Sequence, residues 1–214
     1  GRLGNAASSS MAGNTLTVDI NSATDANGIY IAYNFDDSSA RLEFDGNITI
    51  SNSGGVSIDT LIGVKNDRDN ATLAFGTNSI LTLLSRAQTM GSFGTIELNG
   101  TMLGSEALRV ASDNVVIGPG HDSSGWGSGF VYVSTGAKIT VNGGTVLSAG
   151  RKFQVNTDAC ELEMNAPNSV EGFFSIANGR ELLLDVNADQ ADLGRVIMGT
   201  GSTLTLDCGA DVSE

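Results

Sequence analysis

Three short fragments of this chain carry residue types able to do acid–base chemistry: Asp36-Asp37, Gly120-His121-Asp122 and Asn156-Thr157-Asp158. Two carboxylates about 5–10 Å apart in a groove can act as general acid and base across a glycosidic bond. A fourth stretch, Asp185-Val186-Asn187-Ala188-Asp189, has the first three spacings of a calcium loop.

Each falls short of its chemistry. The first three fragments are similar to pieces of the polygalacturonase signature, whose order is Asn-Thr-Asp, an Asp pair, Gly-His-Gly and Arg-x-Lys. Here the Asp pair comes first, His121 precedes Asn156, Asp122 replaces the last glycine, and no Arg-x-Lys follows. Asn156-Thr157-Asp158 falls just after a short apolar strand, as Asn34, Asn66 and Asp113 do elsewhere, which is turn chemistry. A lyase needs an acidic calcium cluster beside a basic proton acceptor, and Lys65, Lys138 and Lys152 have no such company. In the calcium-like stretch Gln190 replaces the required glycine, and Val196 stands where the bidentate Glu belongs. One histidine and two cysteines that both point inward cannot assemble a zinc site. The expectation is a non-catalytic chain with no metal and no cofactor.

What must position any functional residue is a repeat. Two apolar residues flank one outward residue and are closed by Asp, Asn or Gly: Leu16-Thr17-Val18-Asp19, Leu42-Glu43-Phe44-Asp45, Leu73-Ala74-Phe75-Gly76, Ile96-Glu97-Leu98-Asn99, Val115-Val116-Ile117-Gly118, Ile139-Thr140-Val141-Asn142, Leu162-Glu163-Met164-Asn165, Leu182-Leu183-Leu184-Asp185 and Leu204-Thr205-Leu206-Asp207. The phrases recur about every 23.5 residues, one turn of a solenoid. In–out–in is the period of a strand with one buried face. The closing residues enter tight turns at low cost. A second short strand accompanies most turns: Ile29–Ile31, Ile62–Val64, Leu108–Val110, Val131–Val133, Phe153–Val155, Phe174–Ile176 and Val196–Met198. The reading is an all-β, right-handed parallel β-helix of about nine irregular turns, with handedness taken from parallel crossovers. Ile80 to Arg86 comes nearest to a helix and lacks length and caps.

Composition agrees: 28 glycines, two prolines and 6% aromatics suit many short strands and turns. No break in composition divides residues 1–214, so a single domain is expected. A net charge of −13 argues against nucleic acid and anionic membranes as partners, since both require clustered Lys and Arg. No run is long enough to span a bilayer, and residues Gly1 to Met11 do not read as a charged-then-apolar leader, so a chain that lost its leader or was cut from something larger is expected. Nothing polar caps Leu204–Leu206, so a fragment of a longer rod is expected. Cys160 and Cys208 read as inward residues two turns apart; two strand spacings, about 9.6 Å, exceed disulfide reach. Two buried free thiols are expected.

The phrases Gly13-Asn14-Thr15-Leu16-Thr17-Val18, Gly94-Thr95-Ile96-Glu97-Leu98-Asn99-Gly100, Ala137-Lys138-Ile139-Thr140-Val141-Asn142-Gly143-Gly144 and Gly201-Ser202-Thr203-Leu204-Thr205-Leu206-Asp207 give the chain its style. In that style it resembles the passenger domains of Gram-negative autotransporter (type V secreted) adhesins over nearly its whole length. The resemblance implies a right-handed β-helical passenger exported to the cell surface or secreted. It implies roles in adhesion, autoaggregation, biofilm or virulence, and anchoring through a C-terminal outer-membrane barrel absent here. Partners would be a second copy, or a surface protein or glycan of a host or neighbouring cell. A structural stalk is the alternative, and a polysaccharide-active enzyme the third.

Two regions could recognise a partner. The stretch from Gly118 to Gly129 holds the only Trp and the only His, so His121, Asp122 and Trp126 are candidate binding residues on a loop. The competing expectation is that Trp126 folds back over apolar strand surface. The outward column of the main sheet mixes hydroxyls and carboxylates, and Glu97, Thr140, Glu161, Glu163 and Glu181 are candidates for a self-association face. Glu161 and Glu181 are expected to stack on neighbouring turns. The Thr-x-Thr ranks of an ice-binding face are interrupted by Glu43, Glu97 and Glu163.

Overall fold

The computed structural model describes residues 8–19, 28–31, 41–55, 59–64, 71–90, 94–112, 114–144, 151–167, 172–190 and 194–209. Among these the chain forms a parallel β-solenoid without a helix. One sheet holds β1 (Ser8–Asp19), β3 (Arg41–Ser51), β5 (Thr72–Phe75), β6 (Ile80–Leu83), β8 (Thr95–Leu98), β9 (Thr101–Gly104), β11 (Val115–Ile117), β13 (Lys138–Val141), β15 (Cys160–Met164), β17 (Glu181–Val186) and β19 (Thr203–Cys208). The other holds β2 (Gly28–Ile31), β4 (Thr60–Val64), β7 (Ala87–Thr89), β10 (Leu108–Val110), β12 (Phe130–Tyr132), β14 (Lys152–Val155), β16 (Phe173–Ile176) and β18 (Val196–Met198).

The first sheet branches at β3. The first half of that strand, Arg41–Phe44, pairs with β5, and its second half, Asn47–Ile50, pairs with β6. The main branch runs β3-β5-β8-β11-β13-β15-β17-β19, and a short third side runs β3-β6-β9. The third side corrects two expectations. Leu16–Val18 does not begin the main row; Leu16 faces Ile48 and Val18 faces Ile50, while Ser9 and Met11 oppose Leu42 and Phe44. Ile80–Leu83, the nearest approach to a helix, is a strand whose Leu81 and Leu83 are fully buried.

Register explains what the interior contains. Leu73, Ile96, Val115, Ile139 and Leu162 form one inward row and Phe75, Leu98, Ile117, Val141 and Met164 the next. In β17 the row continues through Leu184, because Leu162 pairs with Leu184 and Cys160 with Leu182. The phrase at Leu182 is thus two residues out of step, and the phrase at Leu204 with it, since Leu184 pairs with Leu206. Three consecutive leucines satisfy a period of two in either frame, and pairing with β15 chooses between them. In β12 the shift is one residue: Phe130 and Tyr132 point inward and Val131 outward.

The correct frame restores the closing position to Asp45, Gly76, Asn99, Gly118, Asn142, Asn165, Asn187 and Gly209. Asp185 and Asp207 are outward strand residues instead. None of these closing residues has positive φ; among the described residues Ala159 is the one non-glycine that does. The small polar residues serve a side-chain ladder. Asn165 Nδ2 donates to Asn142 Oδ1 at 3.1 Å and Asn187 Nδ2 to Asn165 Oδ1 at 3.0 Å. Where the next strand has glycine the amide lies over it: a Cβ at Gly118 would sit 1.5 Å from Asn99 Oδ1.

The second sheet supplies the bulk of the later core. Phe130, Phe153 and Phe174 stack on successive strands with centroids 5.3 and 5.5 Å apart. Each such ring contributes about 1.5–3 kcal/mol by burial, plus about 0.5–1.5 kcal/mol per aromatic pair. Both cysteines are free, but only Cys160 is buried. Cys208 stands exposed because β19 is the end strand of the ladder among the described residues, so its inward row is covered from one side. Val196, Met198 and Leu206 are exposed for the same reason.

Candidate functional site

The outward side of the main sheet is built by the in–out alternation of its strands. One outward row contains Glu43, Ala74, Glu97, Val116, Thr140, Glu163, Asp185 and Asp207 on successive strands. The row beside it contains Lys138, Glu161, Leu183 and Thr205. Thr140, Glu161 and Glu163 are therefore close neighbours, with Glu97 two strands from Thr140. Glu181 is displaced: it faces Thr203, and Glu161 faces Leu183. The expected stacking of Glu161 on Glu181 does not occur, because of the two-residue frame in β17.

Two cations organise this face. Arg41 Nη2 reaches Glu43 Oε2 at 2.9 Å and Glu97 Oε2 at 2.8 Å, spanning two strand spacings over the small, fully buried Ala74. Lys138 Nζ lies 2.6 Å from Glu161 Oε1 and 2.8 Å from Glu163 Oε2. Glu163 also accepts from Thr140 Oγ1 at 3.0 Å and from Asn165 Nδ2 at 3.1 Å. The Lys138 bond, with those from Asn165 and Thr140, holds the Glu163 carboxyl below its ordinary range. Burial alone would lower Lys138, but its bonds to Glu161 and Glu163 outweigh that and raise it. The hydrogen bond to Glu97 leads in raising Arg41. These groups are about one-quarter to one-third exposed, so each pair contributes about 0–1 kcal/mol to stability. Their stronger consequence is a fixed pattern of charge. Further along the row, Glu163, Asp185 and Asp207 follow one another on three strands, and among the described residues no ion pair reaches the last two.

The segment from Gly118 to Gly129 behaves differently from a free loop. Asp122 bridges to Thr101 and Trp126 to Gly104, so the segment extends the third side past β9. Trp126 is fully buried, donates Nε1–H to Glu106 O at 2.9 Å, and sets its edge on Phe130 at 5.0 Å. Gly104, its bridge partner, has φ of 102° and packs against β6, where a Cβ would lie 2.1 Å from Leu83 O. The folded-back alternative for the indole is the one observed.

His121 is also buried, with the Gly100 backbone as its ring's one polar contact among the described residues, beside the orphaned Ser79 Oγ. Its crevice, lined by Phe75, Leu81, Leu98 and Met102, is too tight for a water molecule. Desolvation therefore lowers its pKa to about 4 despite nearby Asp122. Asp122 is half-buried and accepts from Ser124 N at 2.8 Å, the leading cause of its lowered pKa. Of the three loop candidates only Asp122 touches solvent.

The two acid–base fragments within the described residues are not brought together. His121 lies on the third side, whereas Asn156-Thr157-Asp158 is the turn between β14 and β15, with Asp158 paired to Arg180 at 2.8 Å. Asp36-Asp37, Asn34, Asn66, Lys65 and Asp113 lie outside the described residues. The calcium-like stretch is a strand end: Val186 is in the core and Asn187 in the amide ladder. Among the described residues no group of three or more His, Cys, Asp or Glu could hold a metal, and no helix is long and apolar enough to cross a membrane.

Sequence reasoning missed Arg41 and Lys138 as organisers. The signal was present, because Lys138 precedes Glu161 and Glu163 by 23 and 25 residues, one turn of the repeat. It also missed Asp59, which lies between Arg86 at 3.0 Å and Arg109 at 3.2 Å on the outward side of the second sheet. No protein-family model, curated protein or solved structure matches this chain.

Proposed function

We propose that this solenoid is a segment of a Gram-negative autotransporter passenger, right-handed and of about nine turns, that acts at the cell surface by self-association rather than catalysis. The observation that carries the reading is the outward face of the main sheet, where hydroxyls, carboxylates and two bridging cations are held in rows by the strand ladder. Such a face is rigid before contact, so little ordering entropy opposes association. The buried indole of Trp126 leaves glycan stacking out of the proposal.

Sedimentation velocity of the purified chain over a concentration series, with and without calcium, tests it. Reversible dimers or chains support self-association; a strict monomer under every condition rejects it. A stalk is the second reading, favoured by the unbroken parallel ladder that runs from β3 to β19. A stalk leaves the chain monomeric, and cells displaying it do not autoaggregate.

A further inference from the structure

The two sheets differ in the sign of their outward charge. Along the strands of the second sheet and the residues adjoining them, Asp59 is the one carboxylate among the described residues, against Arg86, Arg109, Arg151, Lys152 and Arg195. Asp59 is itself held between Arg86 and Arg109. Arg195 lies over the Phe173 ring at 5.5 Å, which fixes an exposed guanidinium on this face. Lys152 is an outward residue of β14, half-buried. On the main sheet the balance is opposite: Arg41 and Lys138 are outnumbered, and among the described residues no cation pairs with Asp185 or Asp207.

We propose that self-association joins the acidic main sheet of one copy to the basic second sheet of another. The inference rests on the self-association reading and specifies its geometry. Two main sheets face to face would oppose like charges, which costs free energy. Main sheet against second sheet places carboxylates opposite guanidinium and ammonium groups. Both faces are ladders of parallel strands with the same spacing of about 4.8 Å, and Lys152 at β14 and Arg195 beside β18 lie two strands apart, as Glu163 and Asp207 do on the main sheet, so these charges can meet in step. The contact uses different surfaces on the two partners, so it propagates into chains or closes as a ring. It also weakens with salt, because the charges are at the surface.

A charge-swap experiment decides the geometry. Lys152→Glu with Arg195→Glu removes the basic excess of the second sheet and puts two carboxylates on its β14–β18 end; Asp185→Lys with Asp207→Lys makes the end of the main sheet basic. Far-ultraviolet circular dichroism and the emission of Trp126, the only tryptophan, verify that both variants fold. By sedimentation velocity each variant alone associates at least about tenfold more weakly than the parent chain, and an equimolar mixture recovers association. Raising salt from about 0.05 to about 0.5 M weakens the parent assembly. Undiminished association of the Lys152→Glu, Arg195→Glu variant overturns this geometry and leaves self-association standing, through the main sheet alone. A parent chain that is monomeric throughout removes both.

Discussion

From β3 to β9 the interior is filled from three sides mostly by aliphatic side chains, among them Ile48, Ile50, Leu81, Leu83 and Met102, with one stacked ring pair, Phe44 on Phe75 at 6.0 Å. From β12 to β16 one column of rings, Phe130, Phe153 and Phe174, occupies the space, with Tyr132 joined by its hydroxyl to Glu161 O at 2.9 Å. Branched aliphatic chains fill a three-sided section by interdigitating and can shift into a gap. A stacked ring touches a ring above and below, and its removal leaves both without a partner face. Where the two regions meet, Trp126 covers the end of the third side and His121 is buried with little more than the Gly100 backbone to bond to. This seam also holds Ser79 Oγ, a buried hydroxyl without a hydrogen-bond partner among the described residues.

Truncation sharpens the comparison most. Phe153→Ala removes the middle ring and costs about 3–5 kcal/mol, whereas Leu81→Ala costs about 2–5 kcal/mol and lies lower in its range if the aliphatic region relaxes. Urea unfolding of both variants measures the difference; equal losses would remove the distinction between the regions.

The seam gives the next largest effect. Folding lowers the His121 pKa from 6.5 to about 4, so the unfolded chain binds a proton more readily between those values. Stability is complete above about pH 6.5 and falls as pH drops toward 4, by up to about 3 kcal/mol. His121→Leu abolishes that slope between pH 6.5 and 4, measured by urea midpoints with Trp126 emission as the signal. Persistence of the slope would assign it to other groups.

Trp126→Phe keeps the edge contact with Phe130 but leaves Glu106 O without its donor, at a cost of about 1–2 kcal/mol. Asn165→Ala interrupts the amide ladder on an exposed edge and costs about 1 kcal/mol. Lys138→Gln changes stability by less than about 1 kcal/mol, because its partners are partly solvated. A larger loss there, by thermal unfolding, would show that the charged face supports the fold as well as any contact.

The class of fold was legible because its signal is local. Alternation at Ile96-Glu97-Leu98 or Ile139-Thr140-Val141 requires a strand with one buried face, and repetition requires stacking. Burial of Cys160 and the turn at Asn156-Thr157-Asp158 were legible on the same grounds. The ladder β6-β9 was not, since Ile80-Leu81-Thr82-Leu83-Leu84 carries no closing residue that would mark it as a strand. Nor was β7, where Ala87-Gln88-Thr89 has little hydrophobicity and Thr89 points inward to accept from Ser112 Oγ at 3.0 Å.

By itself the sequence determined the strand period, the recurrence of the coil, the acidic excess and the small polar residue at each corner, because these are properties of neighbouring residues. Only the tertiary structure decided the frame of Leu182-Leu183-Leu184, the burial of Trp126 and His121, the exposure of Cys208, and which carboxylates Arg41 and Lys138 reach. Each of those depends on which residue of the next coil lies opposite. A chain whose strands tolerate a shift of one or two positions cannot specify that locally; the fit of the coil against its neighbours selects it.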